Sequence, residues 1–164
     1  MTFIILLIFF LIRLVSLSIS IRHSKQLIQN GAKEFGQKNS KWLAITHILI
    51  YVGAAIEALV TPSTWGISNT LGLIILILAY IVLFHVIKTL GAIWTLKLYI
   101  LEDHPIIRSG LYRLTKHPNY YLNIIPELIG VLLLTSATYT TLLLIPYAYF
   151  LYVRIRQEEK LMSL

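Results

Sequence analysis

The run Leu128-Ile-Gly-Val-Leu-Leu-Leu-Thr135-Ser-Ala-Thr-Tyr-Thr-Thr141-Leu-Leu-Leu-Ile-Pro-Tyr-Ala-Tyr-Phe-Leu-Tyr-Val153 carries no charged residue. As one straight helix its roughly 26 residues would span about 39 Å, against a hydrocarbon core of about 30 Å. A single crossing overshoots. The cluster Thr135 to Thr141 in its middle reads instead as a turn. The run therefore predicts a hairpin of two short, tilted helices that returns the chain to the side it left.

Polar segments flank this hairpin on both sides. Upstream, His104-Pro-Ile-Ile-Arg108-Ser-Gly-Leu-Tyr112-Arg-Leu-Thr-Lys116-His-Pro-Asn-Tyr120-Tyr121 gathers histidines, cations, tyrosines and two prolines. Pro105 and Pro118 disfavour helix at His104 and His117, and Ser109-Gly110 offers a corner where backbone can approach a ligand. An ordered loop is expected, with a helix starting at Pro118 and the N–H groups of Asn119 to Tyr121 turned back towards an anion. Downstream, Arg154 and Glu158 share one helix face while Arg156 and Glu159 share another. The hairpin brings both segments to one side of the membrane.

Working outward, 57% of the 164 residues are hydrophobic, which marks an integral membrane protein. The net charge of +7 sits in short clusters beside apolar spans, so membrane topology accounts for it and no nucleic-acid partner is expected. Cysteine is absent, which excludes disulfides and thiolate chemistry. Thr2–Ile21 is the first span and contains Arg13, expected to pair with Glu57 or Glu127 or to reach the headgroups. Arg22 to Lys41 is a basic connector, read as a solvated cytoplasmic loop with turns at Gly31 and Gly36.

Trp42–Val60, holding His47 and Glu57, is the second span; Thr70–Ile87 is the third. His47 is expected to bond a neighbouring helix, and no cluster of His and carboxylates completes a metal site. Lys88 and Lys97 mark a return to the cytoplasm, and Trp94 between them suits a helix end at the headgroups. The expected architecture is all-α with about five transmembrane helices, N-terminus outside and C-terminus cytoplasmic. It divides into an N-terminal bundle over residues 1–88 and a core over residues 89–164 that holds the loop, hairpin and charged tail.

Spacing alone says that loop and tail hold a polar ligand. The pattern H-x-I-I-x-S-G-x-Y-R-x-x-K-H-P-x-Y, followed by Arg154-Ile155 and Glu158-Glu159, resembles the isoprenylcysteine carboxyl methyltransferase family over about residues 85–161. It is similar in particular to short bacterial members that methylate alkylpyrone hydroxyls, and more loosely to phospholipid methyltransferases. One departure is Lys116, where the family usually has Arg before His-Pro.

The resemblance implies S-adenosylmethionine as cofactor and S-adenosylhomocysteine as product, with no metal. It places His104, Ile106, Ile107, Gly110, Tyr112, His117, Pro118, Tyr120 and Glu158 at the cofactor, and Arg154, Glu158 and His117 in the chemistry. It further implies O-methylation of the carboxylate or hydroxyl of a lipophilic, prenyl- or alkyl-tailed acceptor, with membrane lipids as the other partners, in a bacterial plasma membrane. The competing class is a non-catalytic membrane binding protein or a small transporter subunit. A transporter is expected to show inverted repeats or paired broken helices, which the sequence lacks.

Overall fold

The computed structural model describes residues 1–162. Helices α1 (Thr2–Gln29), α2 (Gln37–Val60) and α3 (Ile67–Leu90) are long and apolar enough to cross a membrane. Their large side chains, among them Ile4, Leu11, Val15, Ile48, Val52, Ile56, Ile74, Leu78 and Ile81, face outward. In water such a surface would drive aggregation; in lipid it is the solvated side.

The charge-free run breaks, as expected, into two helices at the Thr135 to Thr141 turn, though each packs mainly on other helices and not on its fellow. Helix α4 (Ile125–Thr135) is preceded by a wide π turn over Asn119–Ile124, and α5 (Leu144–Met162) by a 3-10 turn over Thr140–Leu143. The widening has a local cause. Pro126 has no N–H to offer Leu122, and its ring crowds that carbonyl, so the preceding turn relaxes outward. Between the arms, the backbone N–H groups of Thr138, Tyr139 and Thr140 converge on the Glu57 carboxylate at 2.7, 3.1 and 2.6 Å. Glu57 thus caps the start of the last helix and is not the partner of Arg13.

That partner is Glu127. Its carboxylate is fully buried and lies 3.4 Å from Arg13 Nη1 and 3.4 Å from His47 Nε2. It accepts the hydroxyls of Tyr51 at 2.6 Å and Tyr80 at 3.2 Å. Tyr147 reaches the same cluster through His47 Nδ1 at 3.3 Å. All five helices contribute one polar side chain or more.

Two seams bring helices closer than side chains normally allow. A Cβ on Gly72 of α3 would collide with the backbone of Leu134 in α4, and one on Gly130 would lie 2.8 Å from Leu76 Cγ. A Cβ on Gly53 of α2 would lie 2.6 Å from Thr140 Oγ1. Such small-residue contacts let backbones meet where lipid gives helices no hydrophobic reason to associate.

The basic connector departs from expectation. Helix α1 runs on to Gln29 and ends in a Schellman motif, with Gly31 left-handed (φ 86°) and the Ala32 N–H on the Leu27 carbonyl at 2.9 Å. A strand β1 (Lys33–Phe35) follows and pairs antiparallel with β2 (Leu98–Ile100), Glu34 opposite Tyr99. This two-stranded ribbon was not expected of an all-α chain. Glu34 anchors it, accepting the Tyr99 hydroxyl at 3.1 Å and pairing with Lys97 at 3.1 Å. Trp94 is 2% exposed and lines the cavity described below.

Removing one member of the buried ion pair strands the other charge, so Arg13→Met is expected to cost about 3–5 kcal/mol. The double variant Arg13→Met/Glu127→Met should recover much of that loss. Thermal unfolding in detergent micelles measures both. Gly72→Ala, in the tightest seam, is expected to cost about 1–3 kcal/mol in the same assay.

Candidate functional site

Four segments surround a cavity of about 410 Å³. They are the end of α3 with Trp94, strand β2, the loop from His104 to Tyr120, and the last two turns of α5. The size lies within the range of small-molecule sites. Leu90, Ile93, Leu98 and Ile106 give it an apolar wall, and His117, Tyr120, Arg154 and Glu158 a polar one.

Of the residues singled out from sequence, His104, Ile106, Ile107, Tyr112, His117, Tyr120, Arg154 and Glu158 line this cavity. Gly110 and Pro118 do not. Gly110 makes the corner, with φ 58° and the space for a Cβ limited by His85 Nε2 at 3.4 Å, while Pro118 is buried beneath the wall. Nor do the helix N–H groups turn into the loop as expected. Those of Tyr120 and Tyr121 both bond the His117 carbonyl at 3.1 Å, three and four residues back, as in the first turn of a helix.

The lining that sequence reasoning missed is Trp94, Lys97 and the β2 residues Leu98, Tyr99 and Ile100. A run of three residues is too short a signal to read as a strand. Its partner lies far away in the sequence.

On the polar wall the groups form a directed relay. Arg154 is 2% exposed and donates from Nη1 to Ser40 Oγ at 2.6 Å, from Nη2 to the Leu96 carbonyl at 2.9 Å, and from Nε to the Tyr120 hydroxyl at 3.2 Å. Tyr120 in turn donates to Glu158 Oε2 at 2.5 Å. The expected Arg154 and Glu158 pairing is therefore mediated by a tyrosine. Among the described residues no carboxylate lies within 4 Å of Arg154. Three of its five N–H donors are used, leaving two for a ligand.

His117 lies between the two tail acids, Nδ1 at 3.5 Å from Glu158 and Nε2 at 3.4 Å from Glu159, with Arg156 pairing with Glu159 from outside at 3.4 Å. Burial pulls the His117 pKa down, but hydrogen bonding and charge from Glu158, joined by Glu159, raise it above the usual value. Burial works against the Glu158 carboxylate, yet His117, Tyr120 and Arg154 together hold its pKa below the ordinary range. His104 moves the other way: desolvation lowers its pKa, only partly opposed by Glu158. The site thus contains one histidine disposed to carry charge and one disposed to remain neutral.

The sequence pattern of the isoprenylcysteine carboxyl methyltransferase family matches residues 71–164, more than half of the chain and all of the cavity's walls. The chain belongs to the isoprenylcysteine carboxyl methyltransferase family. Membership in this family, together with the three long apolar helices, supports a multi-pass membrane methyltransferase. An uncharacterized protein of Haemophilus influenzae is 51% identical over 93% of this chain and 89% of its own length. The uncharacterized protein YpbQ of Bacillus subtilis is 30% identical over 90% of this chain and 88% of its own. No solved structure matches. The family pattern begins inside α3, so α1 and α2 and their contacts with the site lie outside it.

Because the folded His117 has a raised pKa, its stabilising contribution is complete below the ordinary value of 6.5 and is lost as pH rises through the folded value. The opposite sign holds for Glu158, whose contribution is present above the ordinary 4.5 and lost as pH falls through its lowered value. His117→Gln is therefore expected to lower the unfolding midpoint by a few degrees between about pH 5 and 6.5, with the gap closing towards pH 9. Thermal scans of both proteins across that range measure it.

Proposed function

We propose that this protein is an S-adenosylmethionine-dependent O-methyltransferase acting on a lipophilic acceptor with an ionisable carboxylate or hydroxyl. The observation that carries the reading is the cavity in which the family's loop and tail residues meet. Its donor set suits the cofactor: Glu158 can accept from amino or ribose hydroxyl groups, Tyr112 and Tyr120 offer aromatic faces to a cation, and Lys116 suits a carboxylate. The apolar wall of Leu90, Ile93 and Leu98 suits a flat ring. When bound, S-adenosylmethionine supplies a methyl group already activated by its sulfonium.

The chain's own residues then have to orient and to exclude water. A carboxylate acceptor is ionised at neutral pH and needs no base. An enolic or phenolic hydroxyl does, and His104, whose pKa burial lowers, is better suited to take a proton than His117, whose charged form Glu158 and Glu159 favour. Arg154 would hold the anionic head of the acceptor, while its tail lies among the outward-facing side chains in lipid. In this reading the loop and tail face the cytoplasm, where the cofactor is available, and the N-terminus lies outside. The small size of the chain favours a bacterial enzyme with a lipid-like acceptor.

Calorimetric titration of the detergent-solubilised protein with S-adenosylhomocysteine tests the class, with micromolar affinity expected. Glu158→Ala and Tyr112→Ala should each weaken it about tenfold, the size of one charge-assisted or cation–π contact. Absence of binding by folded wild-type protein would remove the cofactor reading. Labelled methyl donor offered with prenylated and alkylated acceptors then identifies the substrate class.

A further inference from the structure

We propose that Ser40, in the first turns of α2 and outside the family's sequence pattern, is the positioning residue that sets the Arg154–Tyr120–Glu158 relay; this rests on the cofactor reading above. Tyr120 has one hydroxyl proton. With Arg154 Nε aimed at its oxygen from 3.2 Å, that proton is directed to Glu158 Oε2 at 2.5 Å, which fixes the carboxylate facing the cavity. The orientation of Arg154 therefore decides the orientation of Glu158.

Of the three bonds that hold the guanidinium, the one to Ser40 is the shortest at 2.6 Å. Ser40 is itself held in place. Its N–H bonds the Gly36 carbonyl at 2.8 Å, and the end of the Gln157 side chain of α5 packs directly onto Gly36. Immediately before it, Asn39 Nδ2 donates to the Phe150 carbonyl at 2.9 Å. The start of α2 is thus docked along α5, on the helix that carries Arg154 and Glu158. Loss of the Ser40 hydroxyl leaves a buried N–H of a charged group without a partner, and the guanidinium must turn to find one.

The test is S-adenosylhomocysteine affinity of Ser40→Ala, Ser40→Thr and Ser40→Cys, each shown to be folded by its unfolding midpoint, alone and combined with Tyr120→Phe. Ser40→Ala is expected to bind three- to tenfold more weakly and Ser40→Thr, which keeps the hydroxyl, as wild type does. In the Tyr120→Phe background, where the relay is already cut, Ser40→Ala should have no further effect. Should Ser40→Ala fail to fold, Ser40→Cys, with its weak acceptor, carries the same expectation. Wild-type affinity in folded Ser40→Ala or Ser40→Cys overturns the proposal. So does a loss that Thr does not rescue and that adds fully to Tyr120→Phe, because a general packing defect gives that result. If wild type itself does not bind, the cofactor reading fails and this inference falls with it.

Discussion

A carboxylate inside a bilayer has no water to turn to, and the arrangement of this protein follows from where Glu127 finds its partners. Fully buried in α4, it gathers Arg13 from α1, His47 and Tyr51 from α2 and Tyr80 from α3, with Tyr147 of α5 one bond further out. Lipid rewards no apolar contact between helices, so polar satisfaction and close packing must hold the bundle together. The ion cluster fixes which helices are neighbours. The glycine seams fix how near they come.

The same logic recurs at the end of the bundle that carries the cavity. Arg154 is a second buried guanidinium, but its partners are a serine, a carbonyl and a tyrosine, all uncharged. Two of the three depend on the N-terminal helices. Ser40 is on α2, and the Leu96 peptide is held by Ser20 of α1 through its N–H at 2.9 Å, while His23 of α1 donates to the neighbouring Trp94 carbonyl at 2.8 Å. Helices outside the family pattern therefore carry contacts to the cavity wall as well as length in the membrane.

Most of what the sequence announces is announced by composition over long windows. The three long helices, the turn at Thr135 to Thr141 and the polar loop with its charged tail are of this kind, because lipid imposes an apolar composition that a window detects. What stays hidden depends on contacts remote in sequence. Lys33–Phe35 is a strand only because Leu98–Ile100 lies beside it, and nothing local distinguishes it from a basic loop. Arg13 has two acids within apolar stretches to choose from by pattern; geometry gives Glu57 to the hairpin turn and Glu127 to the arginine. In the loop, the motif positions identify the residues, but which of them face the cavity depends on contacts with β2 and α5 that are remote in sequence. Gly110 and Pro118 shape the wall from behind it.

The contact of Gly72 with Leu134, and of Gly130 with Leu76, has a meaning beyond stability. Backbones in direct contact cannot slide or rotate past each other as helices separated by long side chains can, so α3 and α4 behave as one stiff plank. The segments that meet the cavity, Leu90 to Trp94 at one end of α3 and Asn119 to Tyr120 just before α4, are the two tips of that plank on the same side. Their spacing is set before any ligand arrives. A ligand entering between them orders little that is not already ordered, and the entropy it would otherwise lose to shaping its own pocket is spared.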